Sequence, residues 1–440
     1  MPNPYLPNWE YIPDGEPRVF GDRVYVYGSH DQAGSDKFCD YILKVWSASV
    51  DNLNNWTCHG VAFQTRANRD HESQTPWTNG ELYAPDVVEK DGKYYLFAYI
   101  FYTVGCVAVS DRPEGPFTLL SQYQVPENSA KLLQDRVFVD PGVLVDDDGK
   151  VYIYCGFEGS YMAQLNPDNM YEVIDGTFQL DIIPTAEPHI FFEACSPRKI
   201  GDTYYMIYSP KIGSQLVYAT SKSPTGPFEY RGTIVDNGVD YPGGNNHGSI
   251  CYMNNQWYIF YHRMTNGTIM SRRGCVEKIT LLPDGSIPQV EMTSLGFEDS
   301  LSPYQTTPAD LACVLKGGCM ITEKNVFTRV ITHITQDTMI GYRYFDFGDD
   351  FGSKTMEFHA NIVGQGCNSL IKLVIDDAEH GEEIGRLEIG ADTGVYRCVV
   401  NKVTGRHALY LKVEDKFGGW FKDMAKGRHL FELISFVFTK

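Results

Sequence analysis

"DGKYYLFAY", residues 91–99, opens with an Asp-Gly pair and continues through aromatic and apolar residues. It has four counterparts: "GDRVYVYGS" from 21, "DGKVYIYCG" from 148, "GDTYYMIYS" from 201 and "NNQWYIFYH" from 254. Each begins with a Gly, Asp or Asn pair of the kind a two-residue hairpin turn needs, because these residues tolerate positive φ. Each then alternates with β-branched and aromatic residues, the pattern of a half-buried strand. Four positions after every turn begins stands a tyrosine: Tyr25, Tyr95, Tyr152, Tyr205 and Tyr258. The tyrosines are 70, 57, 53 and 53 residues apart, which is room for one four-stranded antiparallel sheet per repeat. "SDRPEGPF" from 110 and "SKSPTGPF" from 221 follow two of the hairpins and read as turns into an outer strand. Repeats of this length and composition predict an all-β chain built on a five-bladed β-propeller. Uneven spacing and long inserts suit a closed ring better than a solenoid.

Composition narrows the partners. The chain has 440 residues, is 43% hydrophobic and carries a formal charge of −19. Residues 301–440 hold 18 acids against 16 bases, so the first 300 carry 38 against 21. Nucleic acid and anionic membranes need a basic footprint that this chain lacks, whereas a neutral ligand meets no such barrier. No stretch approaches a membrane-spanning length, and the start "MPNPYLPNWEY" has no signal-peptide pattern, so the expectation is a cytoplasmic protein. The 11 cysteines include no C-x-x-C and lie mostly in apolar runs, as expected of reduced, buried thiols.

In a propeller the innermost strands flank a central channel, so polar residues at one register of successive blades meet at one mouth. Counted back from the turns, Asp14 lies 7 residues before 21, Asp140 8 before 148, Glu193 8 before 201 and His247 7 before 254. Taken singly, an Asp beside Gly15 or Pro141 is usually a turn residue, a Glu before a strand a solvated edge, and a His a satisfied core group. Four residues at one phase point instead to one shared cavity. Asp86 in "YAPDVV" lies only 5 before its turn and is expected to be structural. Grouped carboxylates either bind a hard cation or divide into acid and base as burial and charge separate their pKa values. "DDDGK" at 146–150 coincides with a hairpin turn and lacks the bidentate Glu of a calcium loop, which favours acid and base.

These segments resemble glycoside hydrolase family 43, five-bladed propellers that act on xylosides and arabinosides with inversion. The resemblance covers residues 3 to 290. "NPYLPNWEYIPDGEPRVFGDRVYVYGSHD" is similar to the family's opening and implies Asp14 as general base, although Gly15 replaces the usual following proline. "VFVDPGVLVDDDGKVYIY" implies Asp140 as the residue that tunes the acid and orients the sugar. "FFEACSPRKIGDTYYMIYS" implies Glu193 as general acid, and "NNHGSICYMNNQWYIFYHR" implies His247 as an axial histidine. "SRRGCVEKITLLPDGSI" implies a substrate-binding arginine, Arg272 or Arg273, with Arg273 preferred. Negative charge on Asp140 is expected to hold the proton on Glu193. Trp77 and Tyr83, which are equally core candidates, could stack on a sugar.

After "LLPDGSIPQV" the repeat ceases. The expected division is a propeller over 1–292, a linker over 293–307 and a β-sandwich over 308–440. "GYRYFDFG", "GRHALYLKV" and "LISFVF" make the last part resemble carbohydrate-binding module family 6, a jelly-roll; the resemblance assigns no binding aromatics, and Tyr344 and Trp420 are candidates for burial. A sandwich that only braces the propeller is the alternative.

The function expected is an inverting hydrolase that releases terminal β-xylose or α-L-arabinofuranose from neutral, plant-derived oligosaccharides. No cofactor is required, a structural calcium stays open, and so does the oligomeric state. An endo-acting xylanase or arabinanase and a non-catalytic carbohydrate-binding propeller are the alternatives. A retaining fructosidase would show Asn-Asp-Pro-Asn where this chain has "IPDGEP". Loops 63–82 and 233–246 would set the sugar.

Overall fold

Four of the five repeats fold as the turn residues dictate. Gly21–Asp22, Asp91–Gly92, Gly201–Asp202 and Asn254–Asn255 each join two strands directly, and Asp91, Gly92, Asn254 and Asn255 all take positive φ. The third repeat instead has a five-residue loop, 146–150. There Asp146 is drawn toward the next sheet: Tyr204 Oη donates to its Oδ2 (2.7 Å) and Lys199 Nζ to its Oδ1 (2.5 Å). The computed structural model describes residues 1–133, 137–418 and 426–440, and within them the chain is all-β with one short α-helix, Glu127–Leu133. Among the described residues no helix is long and apolar enough to cross a membrane.

Sheet 1 holds β1 (Glu16–Phe20), β2 (Arg23–Tyr27), β3 (Ile42–Ser49) and β4 (Asn52–Gln64). Sheet 2 holds β5 (Leu82–Lys90), β6 (Lys93–Ile100), β7 (Cys106–Ser110) and β8 (Thr118–Gln122). Sheet 3 holds β9 (Gly142–Val145), β10 (Val151–Gly156), β11 (Ser160–Leu165) and β12 (Gln179–Leu180). Sheet 4 holds β13 (Phe191–Ile200), β14 (Thr203–Pro210), β15 (Gln215–Ser221) and β16 (Glu229–Asp236). Sheet 5 holds β17 (Ser249–Met253), β18 (Gln256–Thr265) and β19 (Thr268–Ile279). Within each sheet every strand pairs antiparallel with the next in sequence. The two proline-containing segments are indeed turns into β8 and β16. Each receives a tyrosine hydroxyl from the preceding sheet, Tyr27 Oη to Pro113 O and Tyr154 Oη to Pro224 O, both 2.7 Å.

The fifth sheet has three strands where four were expected. The N-terminal segment lies along the free edge of β19: Val276 N–H donates to Asn3 Oδ1 (2.9 Å), Asn3 Nδ2 to Val276 O (2.7 Å) and Tyr5 N–H to Gly274 O (3.3 Å). The start of the chain thus completes the last sheet.

The first strands of the sheets are neighbours in a circuit. β1 lies beside β5 and β17, β5 beside β9, and β9 beside β13. Ser196 Oγ to Ser249 Oγ (2.6 Å) and Arg198 Nε to Ile250 O (3.0 Å) join β13 to β17. Arg18 of β1 donates twice to Asp86 of β5 (3.0 and 2.6 Å) and once to Val143 O of β9 (3.1 Å). Asp86 also accepts from Val143 N–H (2.7 Å), so it ties three sheets together.

Residues 301–440 form two further antiparallel sheets, of six and five strands. Their apolar faces meet, with Tyr342 edge-on to Phe436 at 5.0 Å or less (4.9 Å). The same apolar cluster runs on through Ile287 and Met292 into Tyr218, Ile234 and Ile259 of sheets 4 and 5. The stretch 293–307 is packed rather than loose: Phe297 contacts the rings of Tyr5, Trp56, Tyr258 and Phe260. Tyr344 is half-buried beneath Arg406 (3.9 Å to the ring centre), and Trp420 lies outside the described residues. The cysteines are free, and Cys58 departs from expectation in being exposed.

Polar contacts also cross between the two parts. Arg343 pairs with Asp240 (2.8 Å), Arg329 Nε donates to Tyr11 Oη (3.0 Å), and Arg273 pairs with Asp310 (2.7 Å). Arg273 and Asp310 are both buried. Asp310→Ala would strand the arginine charge in the interior and should lower the denaturant midpoint by the equivalent of about 3 kcal/mol. Asp350→Ala, at an exposed pair with Lys402, should leave the midpoint unchanged within error.

Candidate active site

Asp14, Asp140 and Glu193 all sit at or beside left-handed backbone. Asp14 has φ 56°, Asp140 φ 48°, and Ala194, which follows Glu193, φ 68°. A non-glycine residue holds such φ only where its surroundings over-determine it. For Asp140 one such constraint is Gly142, where a Cβ would lie 2.1 Å from Cys195 O of sheet 4. For Glu193 it is a double irregularity in the pairing of β13 with β14, on either side of the Glu193↔Ser209 pair. Each bend takes a carboxyl out of ordinary strand alternation.

The structure brings Asp14, Asp140 and His247 together. His247 Nδ1 lies 3.8 Å from Asp14 Oδ1 and 3.8 Å from Asp140 Oδ2, too far for hydrogen bonds but close enough to fix both carboxyls around one imidazole. Burial lowers the His247 pKa below the ordinary imidazole value, which keeps the ring neutral at pH 7.

Asp14 is held on both oxygens. Arg272 Nη1 donates to Oδ1 (2.8 Å) and Ser29 Oγ to Oδ2 (2.6 Å). Ser29 Oγ also accepts from Ala84 N–H (2.8 Å), so its one proton is left for Asp14. The Asp14 N–H donates to His262 Nδ1 (3.3 Å), while His262 Nε2 faces Asn245 O (2.9 Å). That pattern requires the neutral Nε2–H tautomer. It agrees with a pKa lowered to about 3, by burial first and then by Arg272. Arg272 is in turn fixed by Asp31, which accepts from its Nε (2.8 Å), Nη2 (2.9 Å) and backbone N–H (3.0 Å).

The carboxyls differ in ionisation. At Asp14 burial acts to raise the pKa, but the Arg272 guanidinium above all, helped by the Ser29 hydroxyl, outweighs it, and the pKa falls below the usual carboxylate value. Glu193 is half-buried and is raised to about 7, by burial first and then by the charge of Asp14. Asp140 is pushed well up by burial, then by Glu193 and Asp14. The expected source of the Glu193 shift, negative charge on Asp140, is therefore replaced by burial and Asp14.

Arg273 does not enter this group. Its guanidinium turns to Asp310, and its neighbour Arg272 takes the position beside Asp14, because adjacent strand residues face opposite ways. Trp77 packs, half-buried, against the apolar cluster between sheets 1 and 2, with its indole Nε1 buried and, among the described residues, without a hydrogen-bond partner. Tyr83 stacks on Phe101 (5.5 Å) and lies close enough to Arg272 to feel its charge. Among the described residues no group of three or more His, Cys, Asp or Glu is arranged to hold a metal ion.

A low-pKa carboxylate just before sheet 1 and a raised-pKa carboxyl on sheet 4 are the kind of pair that glycosidic hydrolysis needs. The sequence model described as glycosyl hydrolases family 43 matches residues 11–287. The chain belongs to this family. A xylosidase/arabinosidase from Thermoclostridium stercorarium is 43% identical over 359 residues, covering 74% of this chain and 73% of the relative. An arabinoxylan arabinofuranohydrolase from Paenibacillus polymyxa is 28% identical over 449 residues, covering 89% and 69%. Among solved structures, a family 43 arabinoxylan arabinofuranohydrolase from Bacillus subtilis, in complex with cellotetraose, is 25% identical. It covers 100% of this chain and 97% of its own, with a TM-score of 0.54. This family 43 chain is accordingly a glycoside hydrolase.

Sequence register singled out Asp14, Asp140, Glu193 and His247, of which the structure gathers Asp14, Asp140 and His247 and leaves Glu193 near enough to Asp14 to feel its charge. It missed Ser29, Asp31 and His262, although "GSHD" at 28–31 continues the first repeat directly. Ser29→Ala removes a donor to ionised Asp14, which disfavours the charged form. The acid limb of the hydrolysis pH profile should therefore move up by about half to one pH unit; an unmoved limb would mean that Asp14 does not depend on the hydroxyl.

Proposed function

We propose that this family 43 member is an inverting, exo-acting pentosidase, a five-bladed β-propeller braced by a C-terminal β-sandwich, with Asp14 as base and Glu193 as acid. The observation that carries the reading is the opposed ionisation of these two groups around one cluster. Five consecutive antiparallel sheets whose first strands neighbour one another in a circuit support the propeller. Two sheets sharing one apolar core support the sandwich, and its merger with sheets 4 and 5 favours bracing over an independent sugar-binding module.

The chemistry follows from the charges. Asp14, ionised and held by Arg272 and Ser29, takes a proton from water as the water oxygen bonds to the anomeric carbon. Glu193, protonated, gives its proton to the departing glycosidic oxygen as the carbon–oxygen bond breaks on the other face. Inversion follows when water fits between the two carboxyls, which takes roughly 6.5–9.5 Å. Asp140 and His247 line the same site, where they orient the sugar.

The substrates proposed are neutral oligosaccharides ending in β-xylose or α-L-arabinofuranose, in line with the xylosidase/arabinosidase relative. A second reading, removal of arabinofuranose from arabinoxylan, is favoured by the relatives that extend over 89% of the chain, since they are arabinoxylan arabinofuranohydrolases.

Purified protein should hydrolyse p-nitrophenyl α-L-arabinofuranoside or β-D-xyloside and release the inverted anomer by NMR. Asp14→Ala and Glu193→Ala should each reduce kcat/KM on oligosaccharides by about a hundredfold to ten-thousandfold. Activity surviving Glu193→Ala would remove it as the acid.

The pH profile should be bell-shaped. Glu193 acts protonated and its pKa is raised to about 7, so activity is lost as pH rises through about 7. Asp14 acts ionised and its pKa is lowered, so activity persists down through the ordinary carboxylate range and is lost below it. In the residual activity of Glu193→Gln or Glu193→Ala, which carry no ionisable group there, the basic limb should disappear; a basic limb unchanged in these variants would assign it to another group.

A further inference from the structure

The turn "GFEG", residues 156–159, lies between the segments that carry Asp140 and Glu193. Gly156 N–H donates to Val139 O (3.2 Å), one residue before Asp140, and Glu158 N–H donates to Phe192 O (2.7 Å), one residue before Glu193. The turn is tight. A Cβ on Gly156 would lie 2.3 Å from Gly159 O, and Glu158 has φ 55°. A backbone pinned on both sides to the site thus presents Phe157 with 53% of its surface exposed. Its ring meets that of half-buried Phe192, with centres 5.0 Å apart and planes at 58°. Neither ring belongs to the apolar cluster between sheets 3 and 4, which is built from residues such as Tyr154, Phe191 and Tyr208.

A phenyl ring held in water by a fixed backbone gains when an apolar face covers it. The position of Glu193 says which ligand. An acid that protonates the glycosidic oxygen stands one bond from the first sugar of the leaving group, so that sugar lies beside the Glu193 segment. A neutral pyranose offers an apolar C–H face to an aromatic ring. Tyr102, 87% exposed, packs on Phe101, in the turn after β6, and among the described residues is not joined to the Glu193 segment in this way.

We propose that Phe157 and Phe192 form the platform on which the first leaving-group sugar stacks, making them specificity residues for oligosaccharides over small leaving groups. This rests on Glu193 being the acid of a pentosidase. Assigned to the leaving-group sugar alone, the platform is expected to act on the leaving side only.

The test compares wild type and Phe157→Ala on two substrates that share the preferred pentose and differ in leaving group. These are methyl β-D-xyloside and xylobiose, or methyl α-L-arabinofuranoside and an arabinofuranosyl xylotriose. Thermal unfolding of both proteins confirms that the variant is folded, and Phe157→Tyr, which keeps the ring, should restore activity. The expected result is a drop of about tenfold in kcat/KM for the oligosaccharide, with the methyl glycoside unchanged within about twofold. Equal losses on both substrates, or no loss on either, would overturn the platform. Failure of the underlying reading would look different: wild type would turn over none of the four, and the leaving-sugar assignment would fall with it.

Discussion

The five sheets of the family 43 part are separate hydrogen-bonded units, so what fixes one against the next is side-chain chemistry between first strands. Arg18 with Asp86, and Arg198 with Glu16, are the central ties. All four residues are largely or wholly buried, and taking ions out of water is costly unless each finds several partners. Here they do. Arg18 reaches three sheets, and Arg198 reaches β1 through Glu16 and Pro17 O as well as β17 through Ile250 O. An apolar plug would fill the same space without choosing a register, because hydrophobic contact has no direction. The directional ties set each first strand's phase, and the phase decides whether Asp14, Asp140, Glu193 and His247 meet.

At the meeting point the problem is an excess of negative groups. Asp14, Asp31, Asp140 and Glu193 share one buried cation, Arg272, while His247 and His262 are held neutral by burial. One guanidinium cannot keep four carboxylates ionised in a water-poor space. It bonds Asp31 and Asp14 directly, and the two carboxyls without a direct bond to it, Asp140 and Glu193, are the ones whose pKa values rise most clearly. Burial raises all four carboxyls, and the one guanidinium offsets it unequally, so that only Asp14 ends below the usual carboxylate value.

The parts of this arrangement that were legible in sequence are those written in local pattern. Turn pairs and alternation located the hairpins, and counting back from the turns located four site residues, since each repeat preserves its own phase. Contacts between distant segments left no such trace. The third turn is longer because Asp146 is claimed by Lys199 and Tyr204, and the fifth sheet stops at three strands because residues 3–5 lie on its edge. Arg272 and Arg273 could not be told apart by composition. Strand alternation says that they face opposite ways, but which one faces Asp14 depends on Asp31 and Asp310, 241 and 37 residues away. Ser29 and Asp31 were hidden for a different reason: a short polar run after a strand reads as an ordinary loop until its partners are known.

The Arg272–Arg273 dipeptide also explains why the C-terminal sheets are packed so closely on the rest. One strand, β19, carries the cation of the site on one face and, on the other, an arginine buried against Asp310 of the C-terminal part. Two adjacent buried arginines on an ordinary outer strand would leave one charge without a partner, at a cost that single-sided packing could not offset. Asp310, delivered by the segment that follows Phe297, removes that cost. The same contact holds β19 in place, and with it the guanidinium that ionises Asp14. On this view the C-terminal part supports the candidate site from behind, by supplying the counter-ion that holds the strand carrying Arg272.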